Sequence, residues 1–206
     1  MTSDLLYHLR RSFLVNLPLA AAALIWRRLL WRTTFIAITG SNGKTTTKEI
    51  LARILSARHR TLKTEGNANG RAGLIRTILR VRPWHRFAVI EVGIEAPGQM
   101  WRAALLTRPD IAVITSIAAE HSENFPTLEV TAKEKSDLLG GLGKDGVAVL
   151  NGDDPRVRAM ANRGKFRLVY FGNSREWDLW AEHVEGDWPQ RLRMQVRSGG
   201  GRMGIR

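Results

Sequence analysis

The apolar run Ile36-Ala37-Ile38-Thr39 breaks into Gly40-Ser41-Asn42-Gly43 and restarts at once as Lys44-Thr45-Thr46-Thr47. A buried strand that turns on glycines and re-enters as a helix is a demanding local instruction, and it fits the way proteins hold a nucleoside triphosphate. Glycine lets backbone N–H groups turn toward phosphate oxygens. The helix that follows aims its positive end at them. Lys44 adds a point charge, and the Thr45 hydroxyl is placed to ligate Mg²⁺. The expected cradle for ATP is therefore Gly40, Ser41, Asn42, Gly43, Lys44, Thr45 and Thr46. Only Ser41 and Asn42 separate the two glycines, a short variant of the common phosphate loop. An ordinary Ser-Asn-Gly turn would not need Gly-Lys-Thr-Thr directly after a buried strand.

With 206 residues and 44% hydrophobic content, the chain can bury one core and has little left for a second. It contains no cysteine, which excludes disulfides, thiolate catalysis and thiolate metal sites. A reducing cytoplasmic setting is the economical expectation. Any metal is left to oxygen and imidazole donors. The net charge of +13 suits an anionic small substrate, an acidic membrane surface or nucleic acid. Its excess lies at the ends: Arg10, Arg11, Arg27, Arg28 and Arg32 flank an apolar stretch, and Arg191, Arg193, Arg197, Arg202 and Arg206 punctuate a tail without acids. Nucleic acid is disfavoured, because no recognised reading motif and no aromatic-basic interleaving lie near the ligand side.

The stretch from Phe13 to Trp26 is interrupted by Asn16 and Pro18, and it is shorter than the roughly 20 residues that cross a bilayer. Arg27 and Arg28 follow it with no small-residue cleavage site, which argues against a secretion signal. Residues 1–33 form a basic, Trp-bearing segment with two readings. It lies on a membrane surface or another protein face, giving peripheral contact at the inner membrane, or it is a plain packing helix.

From residue 34 onward, β-rich runs alternate with helical stretches. Strands are expected at Thr34 to Thr39, Phe87 to Val92, Ile111 to Thr115, Val147 to Leu150 and Phe166 to Phe171, and helices at Lys44 to Ala57, Gln99 to Leu106 and Leu128 to Leu139. This alternation predicts an α/β fold, a mainly parallel sheet with helices on both faces. Trp177 to His183 and Arg191 to Val196 add a small antiparallel extension around Glu185-Gly186-Asp187. The Gly/Arg tail, residues 198–206, is expected to be disordered, or a turn whose return strand is missing. Ligands of such sheets sit beyond the carboxyl ends of the strands, where the Gly40 loop, Glu91, Thr115 and Asn151 all fall.

Glu91 ends an apolar strand, so its burial requires a cation or hydrogen-bond donors. A Mg²⁺ on the triphosphate would serve, and so would local backbone donors. His121 follows the strand ending at Thr115, again on the ligand side. Helical spacing puts residues 128, 131, 132, 135, 138 and 139 on one face and so turns Lys135 inward. Lys133 instead falls near Glu129 and Asp137 in an exposed ion-pair arrangement. An inward lysine can be neutral, paired with Glu91, or carbamylated by CO₂ into an anionic metal ligand; the residues alone leave all three open.

Six segments in this order resemble the Mur ligase family, in the branch that joins D-alanyl-D-alanine to a UDP-muramyl tripeptide. They are Thr39 to Glu49, Gly66-Asn67-Ala68-Asn69, Glu91-Val92-Gly93, Pro109-Asp110 through His121, Ala132-Lys133-Glu134-Lys135, and Val149-Leu150-Asn151-Gly152-Asp153-Asp154. The resemblance implies that Lys44 and the loop amides hold the β- and γ-phosphates, that Thr45 and Glu91 bind one Mg²⁺, and that His121 with a carbamylated Lys135 binds a second. It places Asn151 near the adenine and makes Lys44, His121 and Lys135 the catalytic set. The chemistry it implies is ATP-dependent joining of a carboxylate to an amine through an acyl phosphate, in peptidoglycan precursor synthesis.

Two local departures stand out. Ser116 occupies a position where this family usually carries Asn, and no proline follows Gly66-Asn67. The organisation expected is a basic segment at 1–33, an ATP-binding central domain at 34–197 that is incomplete at its C-terminal end, and the tail. A partner chain would then supply the amine-binding C-terminal domain. A non-catalytic ATP-binding module held at a membrane surface is the alternative.

Overall fold

The computed structural model describes residues 18–119, 124–186, 193–199 and 201–205. Helix α1 covers 18–29. It is followed by β1 (Thr34–Thr39), α2 (Lys44–Ser56), β2 (Thr61–Lys63), α3 (Arg71–Arg80), β3 (Phe87–Glu91), α4 (Met100–Thr107) and β4 (Ile111–Ile114). Helix α5 (Leu128–Ser136) tightens into a 3₁₀ turn at Asp137–Gly141, and β5 (Val147–Asn151) leads to α6 (Pro155–Arg158) and a second 3₁₀ turn at Ala159–Arg163. Strands β6 (Arg167–Gly172), β7 (Leu179–Glu185), β8 (Arg193–Ser198) and β9 (Gly201–Ile205) complete the chain.

The strands form one sheet in the order β2-β3-β1-β4-β5-β6-β7-β8-β9. Pairing is parallel from β2 through β7 and antiparallel for β7 with β8 and β8 with β9. The expected α/β class, with its small antiparallel extension, is therefore what the chain adopts.

Period-two alternation assigns each central side chain to a face. Phe35, Ala37, Ala88, Ile90, Ala112 and Ile114 join the larger core under α1, α3, α4 and the turn after α5. Ile36, Ile38, Val89 and Val113 join the smaller core under α2, with Ala52. A sheet covered on both sides needs apolar residues at successive positions, which is why β1, β3 and β4 read as unbroken apolar runs.

Two differences from the sequence reading have physical causes. The interval between α2 and β3 contains the short edge strand β2 and the helix α3. Leu74, Ile75 and Ile78 of α3 are buried, but arginines and Gly73 dilute their periodicity. Within the tail a return strand is present, β9, which pairs with β8 from Ser198↔Gly201 to Met194↔Ile205. Helix α1 packs against the larger core through Ala20 and Ala23, joined by Leu30 just after it, while Leu19, Ile25 and Leu29 and the following Trp31 are exposed. Among the described residues no helix is long and apolar enough to cross a membrane.

Candidate functional site

The chain runs β1, β2, β3 on one side and then crosses β1 to begin β4 on the other. The carboxyl ends of β1 and β4 are therefore the switch point at which open α/β sheets leave a crevice. The loop from Gly40 to Gly43 occupies it. Gly40 has φ +142°, and a Cβ there would lie 2.0 Å from Thr115 Oγ1. Gly43 has φ +81° and starts α2, whose N-terminus has no side-chain cap. Uncapped first-turn amides at a helix start suit an anion.

The neighbouring strand end holds the loop in place. Ser41 N–H donates to the Ser116 carbonyl at 2.7 Å, and Asn42 N–H donates to Ser116 Oγ at 3.3 Å. Ser41 Oγ accepts from Ala118 N–H and donates to the Ala118 carbonyl. Thr115 Oγ1 donates to the Asn42 carbonyl at 2.6 Å. Ser116, the residue that departs from the usual asparagine, is thus a loop-bracing group. Lys44 Nζ donates to the carbonyls of Gly40 and Ser41 at 2.7 and 2.9 Å. Thr46 is exposed beside them.

Glu91 is buried at the end of β3. Its Oε1 accepts from Thr45 Oγ1 at 3.1 Å and from Asn69 Nδ2 at 2.8 Å. Its Oε2 has no hydrogen-bond partner, although Lys48 Nζ stands 3.3 Å away. The ammonium is close enough to offset the charge without being aligned to donate. A hydroxyl and a carboxylate converging at a phosphate-loop helix, with one carboxylate oxygen lacking a donor, form an oxygen donor set that fits Mg²⁺ with phosphate completing the sphere. Among the described residues no three His, Cys, Asp or Glu side chains gather as a metal cluster.

Lys135 is buried, as the spacing of α5 requires, and Thr131, Leu138 and Leu139 are buried on the same face. Thr127 caps that helix by accepting from Val130 N–H at 3.2 Å. Lys135 Nζ donates to the Gly40 carbonyl at 3.2 Å, so Lys44 and Lys135 meet at one oxygen. The ammonium at ion-pair distance from Glu91 belongs to Lys48, not to Lys135. Lys133 is exposed, but the acids near it pair elsewhere, Glu129 with Arg156 at 3.0 Å and Asp137 with Arg163 at 3.6 Å. His121 lies outside the described residues. Asn151 donates from Nδ2 to the Thr115 carbonyl at 2.8 Å and accepts from Asp153 N–H at 3.0 Å, which fixes it at the end of β5. A cleft of about 380 Å³ opens beside the loop, lined by Lys44, Asn69, Arg71, Glu95, Arg102 and Lys135 among others.

Lys48 and Asn69 are the groups for which the sequence reading gave no role. Lys48 had an available signal, since Lys48, Leu51, Ala52 and Leu55 fall at helical spacing on the side of α2 that meets the smaller core. Asn69 lies in the Gly66-Asn67-Ala68-Asn69 segment, but its contact with Glu91 joins the loop before α3 to the end of β3. No local pattern encodes that meeting.

Comparison with known proteins gives concordant results. The Mur ligase middle domain matches residues 38–203. UDP-N-acetylmuramoyl-tripeptide–D-alanyl-D-alanine ligase of Escherichia coli is 40% identical over 129 residues, covering 63% of this chain and 28% of that enzyme. The ligase of the same description from Borreliella burgdorferi is 46% identical over 114 residues, covering 54% and 25%. MurF from Acinetobacter baumannii superposes with a TM-score of 0.86 at 29% identity, over 92% of this chain and 42% of that one. MurF of Thermotoga maritima in complex with ADP gives 0.81 at 26% identity, over 91% and 43%. The chain thus spans only about a quarter of the length of these curated relatives. Sequence match, sheet order and the phosphate loop at the switch point agree: this chain belongs to the Mur ligase middle domain family.

Proposed function

We propose that the chain is the ATP-binding portion of a ligase that joins a carboxylate to an amine, with a UDP-muramyl peptide as the carboxylate substrate. The observation that carries this is the convergence of Thr45, Glu91 and the uncapped start of α2 on one point at the switch of the sheet. A MurF structure in complex with ADP among the relatives supports the choice of nucleotide.

In this reading Lys44 and the amides at the start of α2 bind the β- and γ-phosphates, and Thr45 with Glu91 holds a Mg²⁺ ion. His121 and Lys135, the latter as its carbamate, hold a second. Bound Mg²⁺ supplies charge neutralisation at the phosphate oxygens. Lys44, freed from the loop carbonyls by the arriving phosphate, follows the charge onto it. Asn151 orients the adenine side. Arg71 and Arg102 in the cleft attract the anionic acceptor. The acceptor carboxylate oxygen attacks the γ-phosphorus and ADP leaves, giving an acyl phosphate. The amine nitrogen then attacks the carbonyl carbon, phosphate departs, and the nitrogen loses a proton. The amine-binding domain comes from a further segment or a partner chain. Residues 34–197 act as the ATP-binding domain, with α1 packed onto it.

The test is Mg²⁺-dependent ATP binding by calorimetry on the 206-residue chain, comparing wild type with Lys44→Ala and Glu91→Ala. Binding lost in both variants is the expected result. Absence of binding in wild type rejects the reading.

The outward face of α1, with Leu19, Ile25, Leu29 and Trp31 beside Arg28 and Arg32, also fits contact with an acidic membrane surface. Liposome flotation of an Ile25→Ser, Leu29→Ser, Trp31→Ser variant tests this without removing the buried residues of the helix. Equal flotation of both proteins rejects it.

A further inference from the structure

Lys48 carries a charge that the phosphate loop does not use. Its side chain is fully buried behind α2, where Nζ lies 3.3 Å from Glu91 Oε2 and 3.2 Å from Glu49 Oε1. It also donates to the Gly66 carbonyl. Lys48 follows Thr45 by one helical turn, so α2 directs both side chains at the same carboxylate. Glu91 is gripped from two sides: Thr45 and Asn69 hold one oxygen, and Lys48 faces the other.

A buried carboxylate and an ammonium at this distance compensate each other's lost hydration. A divalent cation drawn to Glu91 must therefore compete with Lys48 for the same negative charge. Glu49 changes that competition. Its side chain is 43% exposed, it is tied to Lys63, and it gives Lys48 a second carboxylate to lean toward.

We propose that Lys48 is a built-in counter-ion and positioning residue that keeps the cation affinity of Glu91 low until nucleotide phosphates arrive. The proposal rests on the reading of Glu91 as a metal ligand. In the nucleotide-free protein the ammonium neutralises Glu91, and a cation meets a donor set of reduced charge. Phosphate oxygens restore the negative charge, and Lys48 shifts its weight to Glu49 while keeping its bond to Gly66. The loop from Gly66, whose Asn69 and Gly70 line the cleft, is thereby tied to the occupancy of Glu91.

Manganese titration followed by electron paramagnetic resonance tests this, because Mn²⁺ shares the oxygen preference of Mg²⁺. The wild-type chain and its Lys48→Met, Lys48→Arg, Glu49→Gln and Glu91→Gln variants are titrated with and without ATP. Without nucleotide, Lys48→Met is expected to bind Mn²⁺ about tenfold more tightly than wild type, the effect of removing one like charge at this range. Its thermal midpoint is expected to rise with Mn²⁺ as the ion replaces the lost ammonium. Lys48→Arg keeps the charge and restores weak binding. Glu49→Gln leaves Lys48 wholly to Glu91 and weakens binding, and this exposed change carries the test should Lys48→Met fail to fold. Nucleotide-free affinity unchanged or weakened in Lys48→Met, or strengthened in Glu49→Gln, overturns the proposal. An ATP-dependent Mn²⁺ signal that is absent in wild type, or that survives in Glu91→Gln, marks instead a failure of the metal reading and removes the proposal with it.

Discussion

Lys48 and Lys135 are buried to the same degree, yet they approach the phosphate loop from opposite faces of the sheet and in different company. Lys48 comes from α2 and sits between two carboxylates, outside the cleft. Lys135 comes from α5, meets the Gly40 carbonyl and lines the cleft that Lys44 also lines. Burial of a charge is therefore a poor guide to its work. What separates the two is the path to incoming ligand: Lys135 touches the space where an acceptor would sit, whereas Lys48 acts only through Glu91.

The contrast is broken most directly by replacing each lysine with methionine. Lys48→Met leaves a buried carboxylate without its cation, and such a loss costs about 3–5 kcal/mol in urea unfolding. Lys135→Met removes a donor from Gly40 and costs about 1–2 kcal/mol. In turnover supported by an amine-binding domain the order reverses, with Lys135→Met the more damaging. Equal losses of stability would show that both lysines serve the fold alone.

The same contrast explains what could be read from the chain. Strand β1 and the start of α2 fall where expected, because a strand covered on both faces and a glycine turn each impose their own local pattern. Lys135 could be placed by counting along α5. Lys48 obeys the same count along α2, where it shares a face with Leu51, Ala52 and Leu55. Strand β2 has three residues, too few for alternation to show, and it is specified by pairing with β3. The grip of Asn69 on Glu91 depends on how the loop before α3 folds over β3. Contacts of that kind lie in the tertiary structure, beyond any periodicity.

Arg27 sharpens the comparison as a third buried cation, placed away from the loop at the opposite end of β1 and β4. It donates to the carbonyls of Thr107 and Arg108 at 2.7 and 2.6 Å and reaches Asp110 Oδ2 at 3.2 Å. Its guanidinium also lies 3.9 Å from the centre of the Phe35 ring. Asp110 in turn accepts from Phe35 N–H at 2.7 Å, so one carboxylate ties α1 to the start of β1. Burial pushes the Arg27 pKa down, and Asp110 opposes that shift. Arg27→Met is expected to cost about 2–3 kcal/mol through its charge-assisted hydrogen bonds. Calorimetry should find Mg-ATP affinity unchanged. A parallel loss of ATP affinity would mean that α1 is coupled to the loop, and that the division between structural and site cations is wrong.

The smallest expected effect concerns His85, whose contacts are with Thr33 and Arg82 rather than with the loop. Its Nδ1 accepts from Arg82 N–H at 2.9 Å, a bond only the unprotonated nitrogen can accept. Its carbonyl accepts from Thr33 Oγ1 at 2.7 Å, at the junction of α1 and β1. Burial is the largest cause pushing its pKa below the ordinary 6.5, with the charges of Arg82 and Arg60 adding to it. As pH falls through that value the unfolded chain takes up the proton before the folded one does. The contribution of neutral His85 is therefore complete above the unfolded pKa and is lost on acidification through the window below it. Urea midpoints measured from about pH 7 down to about pH 5 should fall in wild type and fall less in His85→Asn. Equal slopes in the two proteins would assign the acid sensitivity to other groups and leave His85 as a hydrogen-bond acceptor without a titrating role.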